Sequence, residues 1–149
     1  MNPFETTVQF RWSDLDPNFH VRHSVYYDIC AQLRTQALGA IGFSLEFFAK
    51  NKIGPVLFKE ECAFRREIRF GDTIKVNVAA LKLSKDGGRF SFVHEFTREG
   101  ELCARLALLL QFAFERLDRP RSFGFGFFDC PFELGHCALE GVMSGLGPR

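Results

Sequence analysis

Apolar and polar residues alternate along most of this chain, and the alternation changes period once. In residues 4–12, FETTVQFRW, Phe4, Thr6, Val8, Phe10 and Trp12 fall on one face at period two, which predicts a half-buried strand. From Val25 to about Ile41 the period changes: Tyr26, Cys30, Leu33, Ala37 and Ile41 recur at helical spacing. That spacing predicts a helix of about four to five turns. Ser24 is its expected N-cap, Asp28 suits its first turn, and Gly39 or Gly42 can end it. SLEFFAKN from Ser44 reads as a short extra turn of helix before IGPV breaks it. Residues 56–70, 73–83, 89–98 and 101–116 return to alternation, with GD at 71, KDGG at 85 and REG at 98 as turn chemistry between neighbours. Short turns between long strands predict antiparallel hairpins. The expected order is β-α-β-β-β-β, an α+β fold in which a curved antiparallel sheet wraps one long central helix.

Length and charge narrow the function classes. A chain of 149 residues suffices for one core and is too short for two ordinary domains. Its 19 basic and 18 acidic residues give a net charge of +1 without any run of five like charges, so duplex nucleic acid is not an expected partner. No apolar run approaches the roughly 18 residues of a membrane span, and the N-terminus does not read as a signal segment. A cytoplasmic protein is expected. The five cysteines, Cys30, Cys62, Cys103, Cys130 and Cys137, form no C-x-x-C pair and read as reduced core residues, with no metal site implied. Composition changes at Pro120, beyond which lie six of the thirteen glycines and no lysine. We therefore divide the chain into a domain over 1–118 and a Gly/Phe-rich tail over 119–149 that is not a separate domain. The phenylalanines between Phe123 and Phe132 are expected to dock, and His136 and Cys137 to be bystanders.

The chemistry concentrates in RWSDLDPNFHVRHSVYYDICAQLRTQAL, residues 11–38, where two aspartates, two histidines and a serine crowd the junction of strand and helix. The run D-x-D-P-N-F-H-V-R-H-S-V-Y resembles the active-site loop and helix start of hotdog-fold acyl-CoA thioesterases of the 4-hydroxybenzoyl-CoA thioesterase-like type. In that family D-x-D-x-x-G-H-V-x-N-x-x-Y leads into the central helix. Asp14, Asp16, His20, Val21 and Tyr26 match it, and FRREIRFGD at 64–72 is similar to the family's strand and turn after the helix. The resemblance covers about residues 5–118. Two positions depart: Phe19 stands where glycine is usual, and Arg22-His23 replaces the frequent Asn-Asn. The resemblance implies a substrate that is an acyl-CoA, or an acyl carrier protein thioester, and no cofactor. It also implies a homodimer or dimer of dimers whose sites are built from both chains.

The residues support the same chemistry independently. A thioester's leaving thiol has a pKa of about 8.5, so its departure needs little acid assistance. The reaction needs a base or nucleophile and a place for the oxyanion. A helix N-terminus has unpaired N–H groups and the positive end of a dipole, and the N–H groups near His23 and Ser24 lie there. A carboxylate a few residues upstream can attack the carbonyl or deprotonate a water beside it, and the resemblance assigns that role of nucleophile or general base to Asp16. Asp14 reads as a loop-capping residue. His20 either orients Asp16 or closes the loop; His23 contributes its N–H whatever its ring does. His94, on a strand face with Phe90, Phe92 and Phe96, reads as a satisfied core histidine, and Glu60 and Glu61 as a solvated strand end. Lys82, Lys85 and Arg89 flank a hairpin and are candidates for the phosphates of coenzyme A. Two other readings are weaker. Hotdog hydratases space Asp and His five apart, whereas Asp16 and Asp14 stand four and six from His20. The other is a non-enzymatic acyl-binding module, or a metal on Asp16, His20 and His23, for which no orienting partner can be named.

Overall fold

The computed structural model describes residues 4–85 and 88–114. The tail over 119–149, with Phe123, Phe132, His136 and Cys137, lies outside the described residues. The elements in chain order are β1 (Glu5–Gln9), a 3-10 turn (Trp12–Asp14), α1 (His23–Ala40), α2 (Leu45–Asn51), β2 (Ile53–Phe64), β3 (Thr73–Asn77), β4 (Ala79–Leu83), β5 (Arg89–Arg98) and β6 (Glu101–Phe114). All strands join one antiparallel sheet in the order β1-β3-β5-β6-β2, with β4 pairing β5. α1 buries Val25, Tyr26, Cys30, Leu33, Ala37 and Leu38 in the same core as Phe90, Phe92 and Phe96 of β5 and Ala104, Leu106, Leu108 and Leu110 of β6. The helical and strand periods read from sequence therefore meet in one apolar layer.

Three details correct the expected order. A second helix stands between α1 and β2, because Ser44 Oγ accepts from Phe47 N–H at 3.1 Å and caps a full α-helix where only a turn was expected. The strand expected over 73–83 is two strands. Val78 N–H donates to Phe4 O at 2.8 Å, and Asn77 takes His94 Nδ1 on its carbonyl and Glu95 N–H on its side chain, so the ladder to β5 breaks there. β2 spans Ile53–Phe64, so the strand expected over 56–70 begins three residues earlier and ends at Phe64, after which Arg65 and Arg66 both donate to Cys103 O.

The helix boundaries are set by hydrogen bonds on either side. Ser24 is not the N-cap; Arg22 is, with φ −64° and ψ 146°. Arg22 N–H donates to Asp14 O and Val21 N–H to Ile68 O, which holds the chain extended up to Arg22 and starts the helix immediately after it. At the other end Phe43 N–H reaches Leu38 O and Gly42 N–H reaches Gly39 O, the two bonds of a Schellman motif. Gly42, at φ +95°, supplies the left-handed residue that this closure requires.

His94 is fully buried on β5. Its Nδ1 lies 3.0 Å from Asn77 O, and since a carbonyl only accepts, the ring proton sits on Nδ1. Nε2 has no hydrogen-bond partner among the described residues, so His94 is only half satisfied. Burial pushes the ring's pKa down from 6.5 to about 4, against the smaller opposing effect of the Asn77 bond. The unfolded chain thus binds a proton across this interval that the folded chain does not. Stability from this group is complete above pH 6.5 and is lost as pH falls toward 4, by on the order of 3 kcal/mol. Denaturant titrations at stepped pH are expected to show this loss, and His94→Leu to flatten it. An unchanged slope in His94→Leu would assign the acid sensitivity to other groups.

Candidate active site

The loop between the 3-10 turn and α1 is built around two aspartates with different duties. Asp14 is buried and turns inward. Its Oδ2 accepts from Arg11 N–H at 2.8 Å and its Oδ1 from Arg11 Nη2 at 3.1 Å, while its carbonyl accepts from Arg22 N–H at 3.0 Å. The Arg11 guanidinium holds its carboxyl below the usual carboxylate range. Asp14 therefore fastens the strand end to the helix start.

Asp16 is half-buried two residues on, at the turn of a short hairpin. Leu15 bridges Val21, Asp16 N–H donates to His20 O at 2.8 Å, and Phe19 N–H donates to Asp16 O at 3.0 Å. Its Oδ1 accepts from Asn18 N–H at 2.8 Å and His20 N–H at 3.0 Å. Both bonds use one oxygen. Oδ2 has no hydrogen bond among the described residues, so one carboxylate oxygen anchors the loop and the other is uncommitted. The hydrogen bond from His20 to Asp16 comes from its main chain, and a second bridge ties His20 to Arg69. Phe19 takes φ +63°, a left-handed conformation in which any side chain is disfavoured, which is the physical reason glycine is usual there.

Asp16 and the start of α1 open into one cavity of about 430 Å³. Around it stand Asp16, His20, Arg22 and His23 from the loop and helix start. Tyr26 and Phe64, whose rings meet edge to face at 5.0 Å, line it as well. Arg65, Arg66 and Glu67, from the segment after β2, complete its charged wall. No side chain caps α1, so the N–H groups of His23 and Ser24, which precede the first intrahelical partner, face no acceptor of the helix's own. Burial keeps the Tyr26 phenol far above its ordinary pKa and hence neutral. The cavity combines a free carboxylate oxygen with an open helix N-terminus.

The family model described as the thioesterase-like superfamily matches residues 10–113, well over half of the chain. The chain belongs to the thioesterase-like superfamily. Solved structures share its fold at low identity. A hypothetical protein from Staphylococcus aureus in complex with CoA superposes with a TM-score of 0.81 at 16% identity, covering 98% of this chain and 87% of that one. The DHNA-CoA thioesterase from the same organism gives 0.76 at 21% identity, over 95% and 91%. A thioesterase from Thermus thermophilus, complexed with coenzyme A and zinc, gives 0.68 at 20%, over 97% and 98%. A search of curated proteins finds no match.

Other sequence expectations fall elsewhere in this thioesterase-like fold. Lys82 on β4, Lys85 in the following turn and Arg89 at the start of β5 are exposed and do not line the cavity. Glu61 is solvated as expected and pairs with Lys59 at 2.8 Å, but Glu60 is tucked against α1, 2.9 Å from Arg34, with 14% of each side chain exposed. An inward-facing strand position opposite the helix explains that difference. Phe43 and Phe48 pack with Phe112, and Phe47 against both Phe43 and Phe48, beyond the C-terminal end of α1, while Arg22, His23 and Tyr26 of the cavity stand at its N-terminal end. Among the described residues no group of three or more His, Cys, Asp or Glu is placed to hold a metal ion, and no helix is long and apolar enough to cross a membrane. The sequence reading missed Arg22, Arg65, Arg66 and Glu67 as cavity residues. The one local signal was the pair Arg65-Arg66 at a strand end, where alternation stops.

Proposed function

We propose that the protein hydrolyses acyl-CoA thioesters to the free acid and coenzyme A, with Asp16 as the nucleophile or general base. The observation that carries the reading is the shared cavity: Asp16, its Oδ2 uncommitted, and the uncapped start of α1 line the same space. A thioester carbonyl between them has a carboxylate at its carbon and N–H donors at its oxygen. As a base, Asp16 removes a proton from water, whose oxygen bonds to the carbonyl carbon. Negative charge moves to the carbonyl oxygen, where the N–H groups of His23 and Ser24 stabilise it, and collapse breaks the C–S bond. As a nucleophile, Asp16 forms an anhydride that water then cleaves. Both routes end in carboxylic acid and thiol, and the leaving thiol needs no strong acid.

Some further elements of the proposal rest on the family resemblance. Residues 1–118 are assigned to the catalytic unit; Lys82, Lys85 and Arg89 are assigned to the nucleotide end of coenzyme A from their charge beside a hairpin alone, and 119–149, from its change of composition, to a tail supplying no catalytic group. A homodimer or dimer of dimers is the proposed assembly. Free-thiol release from a panel of short, branched, aromatic and medium-chain acyl-CoA esters, with acyl carrier protein thioesters alongside, tests the activity. Release above the uncatalysed rate from at least one ester is expected. A panel without any release sinks the proposal.

A further inference from the structure

Two contacts fix how α1 lies along β2. The rings of Tyr26 and Phe64 meet edge to face at 5.0 Å, and Arg34 Nη1 donates to Glu60 Oε1 at 2.9 Å. The helix from 26 to 34 therefore runs antiparallel to the strand from 60 to 64. The lengths agree, since eight helical steps advance about 12 Å and four strand steps about 13 Å.

Cys30 is the midpoint of the first segment and Cys62 of the second. Tyr26, Cys30 and Arg34 recur every four residues on one helix face. Glu60, Cys62 and Phe64 share one strand face, opposite the buried Leu108, Leu106 and Ala104 of β6. The two thiols consequently face each other between helix and sheet. Both are free, Cys30 fully buried and Cys62 half-buried. Burial pushes the Cys30 thiol's pKa up, Arg34 opposes the rise, and Cys62 adds to it as a near neighbour does.

We propose that Cys30 and Cys62 form a reversible disulfide that staples the central helix to the edge strand. The oxidant is a low-molecular-weight disulfide. The thiolate of the more accessible Cys62 attacks one of its sulfurs, forming a mixed disulfide and releasing one small thiol. The Cys30 thiolate then attacks the Cys62 sulfur, closing the protein disulfide and expelling the second small thiol. Two protein thiols give up two electrons and two protons, and the small disulfide takes up both to become two thiols.

Burial also pushes the Cys62 thiol up to about 11, so both sulfurs stay protonated near neutrality and the staple closes slowly there. It answers sustained oxidation. Closure reaches the candidate site, because Tyr26 stands one turn before Cys30 and Phe64 two residues after Cys62, and both line the cavity. The staple fixes the spacing of that wall whatever reaction the cavity performs.

The experiment uses the full chain with Cys130→Ser and Cys137→Ser, so that the tail thiols cannot compete, incubated with glutathione disulfide at stepped pH from about 7 to 9. Tryptic digestion without reductant is expected to yield peptide 23–34 joined to peptide 60–65, lighter by two hydrogens than their sum. Its yield is expected to rise with pH, and a reductant to separate the two peptides. The thermal midpoint of the oxidised protein is expected to rise by roughly 5 °C or more and to return on reduction, because the crosslink restricts the unfolded chain. Cys62→Ala, a change at a half-buried position, is expected to show neither the linked peptide nor the shift. A disulfide closes only between Cα atoms within about 7 Å, so a folded protein that stops at the mixed disulfide, or forms no link even at the highest pH, overturns the proposal. A link from either cysteine to Cys103 overturns it as well. A Cys30–Cys62 link that leaves the midpoint unchanged or lowers it shows that closure strains the native packing, and rejects the staple.

Discussion

Asp16→Asn is expected to lower kcat for acyl-CoA hydrolysis by on the order of 100-fold or more while leaving the fold and substrate binding nearly unchanged. The structure makes this substitution clean. The two bonds that shape the loop, from Asn18 N–H and His20 N–H, both end on Asp16 Oδ1, and an asparagine carbonyl can accept both. What is lost is the basic, anionic oxygen that carries no bond among the described residues. Asp14→Asn is expected to behave differently. It weakens the bonds to Arg11 and hence the anchoring of the loop, so its effect is on thermal stability, with residual turnover following the folded fraction. Thiol release under saturating substrate, beside thermal unfolding of both variants, separates the roles. Near wild-type turnover in Asp16→Asn would refute the mechanism.

The second large effect is expected at the edge of the sheet. β2 pairs only β6 among the described strands and is twelve residues long, so one side of a long strand has no neighbour in the chain described. Val56, Leu57 and Phe58 on that strand are 38%, 42% and 54% exposed. An edge of this length carrying apolar side chains invites pairing, and a two-fold axis satisfies both copies at once. Sedimentation at micromolar concentration is expected to give a dimer or larger species. The double variant Leu57→Lys with Phe58→Lys is expected to dissociate it, since it places cations where about 2 kcal/mol of apolar burial per side chain would be gained. Because the proposed sites are shared between chains, turnover is expected to fall at least about as far as in Asp16→Asn. A dissociated monomer with full activity would refute the shared site, and a double variant of unchanged mass would place the interface elsewhere.

What the sequence determined by itself is what short-range rules control. The helical spacing from Tyr26 to Ala37 and the turn residues at Gly71 and Gly100 depend on neighbours a few positions apart, and each recurs in the structure, whereas the run expected over 4–12 is strand only over Glu5–Gln9 and leaves Trp12 76% exposed in the 3-10 turn. The Asp16 loop was legible for the same reason: its bonds to Asn18 and His20 span two and four residues, so the motif carries its own geometry. The tertiary structure alone decided the rest. Where α1 starts depends on Val21 donating to Ile68 O, and where the long strand divides depends on Asn77 receiving His94 and Glu95. Glu60 became an inward partner of Arg34, 26 residues away. The carbonyl of Cys103, far along the chain, accepts from both Arg65 N–H and Arg66 N–H where β2 ends. Such contacts are set by sheet register, which long-range packing fixes and local sequence does not encode, so the sequence could nominate Asp16 but not the arginines that share its cavity.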